Sequence, residues 1–147
     1  MKKIILTGLA FSLMFGFAAC KKKSADTAQT PESIATYHNS QNSLDWAGTY
    51  RGVIPSSDTF GIKVSITLRY DSTYTLIYEY LGKKLTIVGN GKFEWNETGS
   101  AIKLLGLDGK DMPIHYFVGE GFIQQLDLQG NRITGKLADR YILKKDI

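Results

Sequence analysis

Between residues 62 and 80 the chain carries two half-buried strands in immediate succession, and that pair constrains the fold more than any other feature. Ile62, Val64, Ile66, Leu68 and Tyr70 fall at every second position, with Lys63, Ser65, Thr67 and Arg69 between them. A period of two places the apolar set on one face of an extended backbone and the polar set on the other. Asp71-Ser72 are turn formers, and Tyr74, Leu76, Tyr78 and Tyr80 then repeat the alternation. The two runs therefore predict a hairpin. The same logic assigns strands to 85–88, 92–95, 102–105, 114–118, 122–128, 133–137 and 141–143. Asn90-Gly91, Thr98-Gly99, Asp108-Gly109, Gly119-Glu120-Gly121 and Gly130-Asn131 separate or bound them, and each supplies residues that tolerate positive φ. No helical period is sustained from Trp46 onward. An open meander of this many strands would leave two edges ready to pair with other chains, so an all-β, small antiparallel meander barrel is expected.

The chain ahead of these strands has a different character. Lys2 and Lys3 precede an apolar run from Ile4 to Phe17, and small Ala18 and Ala19 lead to Cys20, the single cysteine. A charged start, a short apolar core and small residues at a cut make a secretory signal. The run is shorter than the roughly 20 apolar residues that span a bilayer. Phe17-Ala18-Ala19-Cys20 resembles the bacterial lipobox, in which the cysteine thiol is acylated and becomes the first mature residue; the pattern prefers Leu where Phe17 stands. Lys21 follows where sorting rules would place Asp for inner-membrane retention, so the resemblance implies the outer membrane. Several acyl chains together anchor a protein almost permanently, at about 0.8 kcal/mol per buried methylene.

Three segments result: residues 1–19 as a lipoprotein signal peptide, 20–45 as a lipidated cysteine and flexible tether, and 46–147 as the β-barrel domain. The stretch after Lys23 is rich in Ser, Thr, Ala, Gln and Asn, a composition that buries too little apolar surface to offset the entropy of ordering. Ile34 and Tyr37 could pack one helical turn onto the domain. Removal of 19 of the 147 residues leaves 128, room for one compact domain. Of 18 basic residues, five are Lys2, Lys3, Lys21, Lys22 and Lys23, so the remaining 13 face 14 acidic groups. That balance gives no phosphate-binding surface and no nucleic-acid partner. The lysines after Cys20 suit anionic lipid headgroups.

Little in the domain points to reaction chemistry. With Cys20 acylated no thiol remains for a disulfide or a cysteine-based metal site, and no metal or other cofactor is expected. Met112 and His115 are three apart, so an extended chain sends them to opposite faces. Ser56 or Ser57 with His115 and Asp58 supplies the types of a hydrolytic triad, and Glu79 with Glu94 those of a glycosidase pair. No GxSxG, Walker, GxGxxG or HExxH motif accompanies either set, and the domain reads as non-catalytic. Its many rings, including Trp46, Tyr50, Tyr74, Tyr78, Phe93, Trp95 and Tyr116, suit strand packing. The alternative is a lipocalin-like interior that binds a small apolar or lipid-like molecule.

The blocks RGVIPSSDTFGIKVSITL, YTLIYEYLGKK, GKFEWNETGS and YFVGEGFIQQLDLQGNRITGKLADRYIL resemble, in order, the N-terminal domain of the NlpE-type outer-membrane lipoproteins, a family associated with copper resistance and envelope stress. The resemblance runs from about Gly48 to Leu143. It implies a lipocalin-related barrel, a role in envelope stress, surface sensing and copper tolerance, and an envelope signalling protein as partner. Family members carry a CxxC in the loop after the first strand. Here that loop reads Pro55-Ser56-Ser57-Asp58-Thr59-Phe60-Gly61, with Ser56 and Thr59 at the two cysteine positions. Thiolates bind soft metal ions and attack disulfides, whereas hydroxyls near neutral pH do neither. Thiol-based metal binding is therefore discounted, although Pro55, Asp58, the hydroxyls and Gly61 can preserve the loop's shape.

Overall fold

Eight antiparallel strands close on themselves in the computed structural model, which describes residues 38–57, 59–109 and 112–147. They are β1 (Gly48–Ile54), β2 (Ile62–Leu68), β3 (Thr73–Tyr80), β4 (Leu85–Trp95), β5 (Ala101–Leu104), β6 (His115–Gly119), β7 (Phe122–Gln125) and β8 (Ile142–Lys145). Each pairs with its sequence neighbour, and β1 also pairs with β8 through Tyr50 opposite Lys145 and Arg51 opposite Lys144. Closure leaves no long free edge, which is the physical reason a meander of this size is a barrel. The hairpin of β2 and β3 has the expected register, with Val64 opposite Tyr78, Ile66 opposite Leu76 and Leu68 opposite Tyr74.

The apolar alternation faces inward. Tyr50, Ile66, Leu76, Tyr116, Val118, Ile123 and Leu143 are 0% exposed. Walls of a cavity wide enough for water would retain accessible surface, so the space around these side chains is filled. The rings themselves occupy the interior as strand packing leads one to expect, so the alternative of a ring-lined ligand cavity gives way to a packed core. Their hydroxyls are paired there, as buried polar groups must be. Tyr78 and Tyr116 share a hydrogen bond of 2.8 Å, and Tyr50 donates to the Trp46 carbonyl at 2.5 Å. Burial pushes the phenols of Tyr50 and Tyr78 up to about 12, and that of Tyr116 well above its ordinary value.

Three expectations are corrected. Asn90-Gly91 is not a turn between two strands but the middle of β4, an uninterrupted run of 11 residues. Glycine stands there for close approach rather than for turning: a Cβ on Gly91 would lie 2.7 Å from the Leu105 carbonyl oxygen and 3.1 Å from the Tyr74 ring. Tyr74, opposite Gly91 in the register, uses that space to donate to Leu105 O at 2.8 Å. Residues 133–137 form no strand; only the isolated bridge of Leu126 and Arg132 marks the approach, and Gly135 at φ 96° leads into a 3-10 turn at Ala138–Tyr141. Leu137, apolar in the pattern, is half exposed on this connection. Tyr70 is the third: it leaves β2 for the turn and lies largely in solvent.

A short helix, α1 (Ser40–Ser43), crosses one end of the barrel. Its Asn39 cap accepts from Asn42 N, with Asn42 returning the contact to the Asn39 amide. Gln41 N donates to Gly99 O at 3.0 Å, Ser40 Oγ to Val118 O at 2.7 Å, and the Trp46 indole to Gln41 O at 3.0 Å. Trp46 seats edge-on against Tyr70, Trp95 and Phe93, with ring centroids 5.1, 5.4 and 5.8 Å away. Packed structure thus reaches back to at least Asn39, ahead of the boundary at Trp46 read from the sequence. Ile34, Tyr37 and the signal segment lie outside the described residues.

Candidate functional site

The loop joining β1 to β2 is built to return the chain within a few residues. β1 ends at Ile54, and Pro55 follows without an amide proton to offer the ladder. Thr59 Oγ1 donates to Gly61 O at 3.0 Å and accepts from Gly61 N at 3.3 Å, so its hydroxyl is occupied in closing the loop. Gly61 takes φ +122°, and a Cβ there would fall 2.9 Å from Val53 Cγ1 and 3.1 Å from Ile54 O. Both the backbone angle and the space demand glycine. Gly61 O in turn accepts from Leu81 N at 3.0 Å, tying the loop to the connection between β3 and β4.

Pro55, Ser56, Thr59, Phe60 and Gly61 line a shallow cleft of about 260 Å³ with Arg140 on its rim. Ser56 and Thr59 thus line one surface. Ser57 lies in the same turn; Asp58 and Cys20 lie outside the described residues. Among the described residues, the cleft's polar side chains are alcohol oxygens and one guanidinium. Neutral hydroxyls, one of them spent on Gly61, do not fit a soft metal ion or a redox couple.

The other candidates do not converge. His115 opens β6 beside a second cleft of about 310 Å³ with Glu94, Trp95, Lys103 and Gln129, whereas Met112 packs against the core. Burial and the Lys103 ammonium lower the His115 imidazole below its ordinary range, with Asp127 opposing them. Ser56 and His115 therefore border different clefts. Glu79 is tied to Lys63 at 3.6 Å on the outer face, away from the cleft that Glu94 lines. Among the described residues no three His, Cys, Asp or Glu side chains are grouped so that they could hold a metal ion. Sequence reasoning passed over Phe60, which stands 91% exposed at the loop's tip. A bulky apolar residue between Thr59 and Gly61, outside any alternating run, was the available signal.

With this geometry in hand, the comparisons decide the family. The model of the NlpE N-terminal domain matches residues 50–136, from within β1 into the connection that precedes β8. The chain belongs to the NlpE N-terminal domain family. Lipoprotein NlpE of Escherichia coli K12 is 28% identical over 136 residues, which is 92% of this chain and 54% of that protein. This chain therefore spans about half the length of the curated relative it matches. A crystal structure from Shewanella oneidensis, of a protein provisionally assigned as a lipoprotein, is 45% identical with a TM-score of 0.65, over 73% of this chain and 94% of that one. The crystal structure of the Cpx pathway activator NlpE from Escherichia coli aligns at 26% identity and a TM-score of 0.48, over 60% of this chain and 46% of that one. In this chain the β1–β2 loop makes a tight return closed by Thr59 and Gly61, and it carries no cysteine.

Proposed function

We propose that this NlpE-type protein is a non-catalytic lipoprotein of the bacterial envelope, anchored in the outer membrane through acylated Cys20 and carrying its barrel on a tether. Membership in the NlpE family is the observation that supports the reading most, together with the lipobox-like run that ends at Cys20. The Escherichia coli relative bears the name lipoprotein. Among the described residues Ser56 and His115 line different clefts and the interior is packed, which supports a module recognised by partners.

In this reading the protein acts in envelope stress, surface sensing and copper tolerance by presenting its folded domain to an envelope signalling partner. Metal capture by thiolates at residues 56–59 plays no part, because Ser56 and Thr59 have taken the cysteine positions. Mass spectrometry of the mature N-terminus tests the anchor: an acylated Cys20 is expected, and an unmodified thiol on the native protein overturns the reading. Deletion of the protein tests the role, and unchanged adhesion, copper tolerance and stress responses would remove it.

A further inference from the structure

The barrel closes, but β4 outruns the strand that follows it. β3 pairs along Leu85–Lys92, whereas β5 meets only Phe93, Glu94 and Trp95. One further bond, from Leu105 N to Lys92 O at 2.8 Å, ends the seam. Beyond it the chain turns inward, and Leu107 Cδ2 reaches the inner side of Gly89, where a Cβ would lie 2.9 Å away. The antiparallel ladder tells which groups this leaves over. Phe93 N donates to Ser72 O at 2.9 Å, so the odd residues of this stretch face β3 and the even ones face away from it. Among the described residues outside the strand ladders, no backbone bond reaches Thr86, Val88 or Asn90. Their N–H and C=O groups form a short open edge, toward the end of β4 remote from α1 and its bond to Gly99.

We propose that this edge, from Thr86 to Asn90, takes an extended acidic segment of a partner protein as an added strand. An unpaired edge offers main-chain bonds to any extended chain, and the side chains around it decide which one fits. Val88 is 62% exposed and stands opposite Ile77, which is 39% exposed, so the outer face beside the edge presents a small apolar patch to a β-branched residue. Thr86 and Asn90 flank it, and exposed Lys84 and Lys92 lie at its two ends. No acid stands between residues 84 and 92, and Glu79, across from Thr86, is engaged by Lys63 at 3.6 Å. The same charges select against a second copy of the chain. Two β4 edges paired about Val88, the register that uses all three residues of each, would set Lys84 of one copy against Lys92 of the other. Glutamates at both ends of a foreign strand meet those lysines instead. The site deepens the proposed recognition by an envelope partner, and rests on that reading only for the partner's existence.

The test follows backbone amide exchange by NMR in the full mature chain, held in detergent micelles that keep it in solution whether or not Cys20 is acylated. Without a partner, the Thr86, Val88 and Asn90 amides should exchange fast, while those of Ile87 and Gly89, which face β3, are protected. Protection of all five overturns the open edge. The probe is a capped nonapeptide with valine at its centre, threonine and serine beside it and glutamate at each end. At about ten times its dissociation constant it should slow the three edge amides about tenfold. Lys84→Glu with Lys92→Glu should weaken it about fivefold, and a peptide with lysine at each end should prefer that variant. No slowing at millimolar peptide, slowing at other amides only, or equal binding of a peptide N-methylated where it meets the edge overturns the added strand. Equal binding of the glutamate and lysine peptides to the parent chain overturns the acidic partner. Slowing of the same amides that grows with protein concentration alone overturns a foreign strand in favour of a second copy. A failed edge beside an acylated Cys20 leaves the lipoprotein reading standing, and an unmodified Cys20 leaves the outcome at the edge unaffected.

Discussion

The two ends of the barrel are finished in opposite ways. At the end beneath α1 the core is covered: Trp46 caps it, Ser40 and Gln41 bond across to β6 and the β4–β5 turn, and Lys145 reaches Asp45 Oδ2 at 2.8 Å. The Lys145 ammonium and then the Tyr70 hydroxyl hold the Asp45 carboxyl below its ordinary range. At the far end the β1–β2 loop closes on its own backbone through Thr59 and Gly61, and leaves Phe60 in water. At one end the rings pack around Trp46, Tyr70 with one face in solvent, while at the other Phe60 stands almost bare. In a small barrel the region that gives up burial is the natural place for a partner, because it can be changed without disturbing the core.

The largest effect is expected where the contrast is strongest. Trp46→Ala removes the ring that seals the α1 end, and denaturant unfolding should register a loss of about 3–5 kcal/mol. A loss no greater than that of a surface substitution would show that α1 and Trp46 decorate the end rather than close it. The interior between the two ends is tested by pH. Tyr50 and Tyr78 have folded values of about 12 against an ordinary value of 10.0, so the unfolded chain releases its protons first. Stability is full below pH 10 and falls from there towards 12, at about 1.4 kcal/mol per pH unit for each such phenol. Unfolding midpoints that stay flat over this window, or tyrosinate absorbance that appears in the folded protein near pH 10, would show that the phenols are wet.

At the open end, Gly61→Ala combines an unfavourable backbone angle with contacts of 2.9 and 3.1 Å. A destabilisation of about 1–3 kcal/mol is expected, measured by the same unfolding series. The smallest change belongs to Phe60→Ala, within about 0.5 kcal/mol of the parent protein. A large loss of stability for that variant would erase the distinction between the two ends.

Much of the frame was legible because a period of two survives translation into three dimensions. The β2–β3 pairing, the inward Tyr74, Leu76 and Tyr78, and the barrel class follow from which residues are apolar and where turns are possible. Asn90-Gly91 misled because glycine signals both a turn and a close approach, and only the Tyr74 ring lying over the strand tells them apart. The run at 133–137 misled for a related reason: Ile133, Gly135 and Leu137 alternate, yet no neighbouring strand remained for them to pair with. α1 was hidden by its polar composition, since it is held by Asn39 capping and by bonds to Gly99 and Val118 far along the chain. At the candidate site, the absence of thiols was plain from residue identity, while the prominence of Phe60 was not.

The order of residues alone determined strand periodicity, the class of fold, the absence of cysteine from the loop at 56–59 and the presence of one at 20, because each depends on side-chain type and spacing. Tertiary structure decided that the tyrosines fill the barrel instead of lining a pocket, that α1 caps one end, and that a lone ring stands out at the other. Those outcomes depend on which surfaces meet across the closed sheet, and no local pattern records how much room is left when they do.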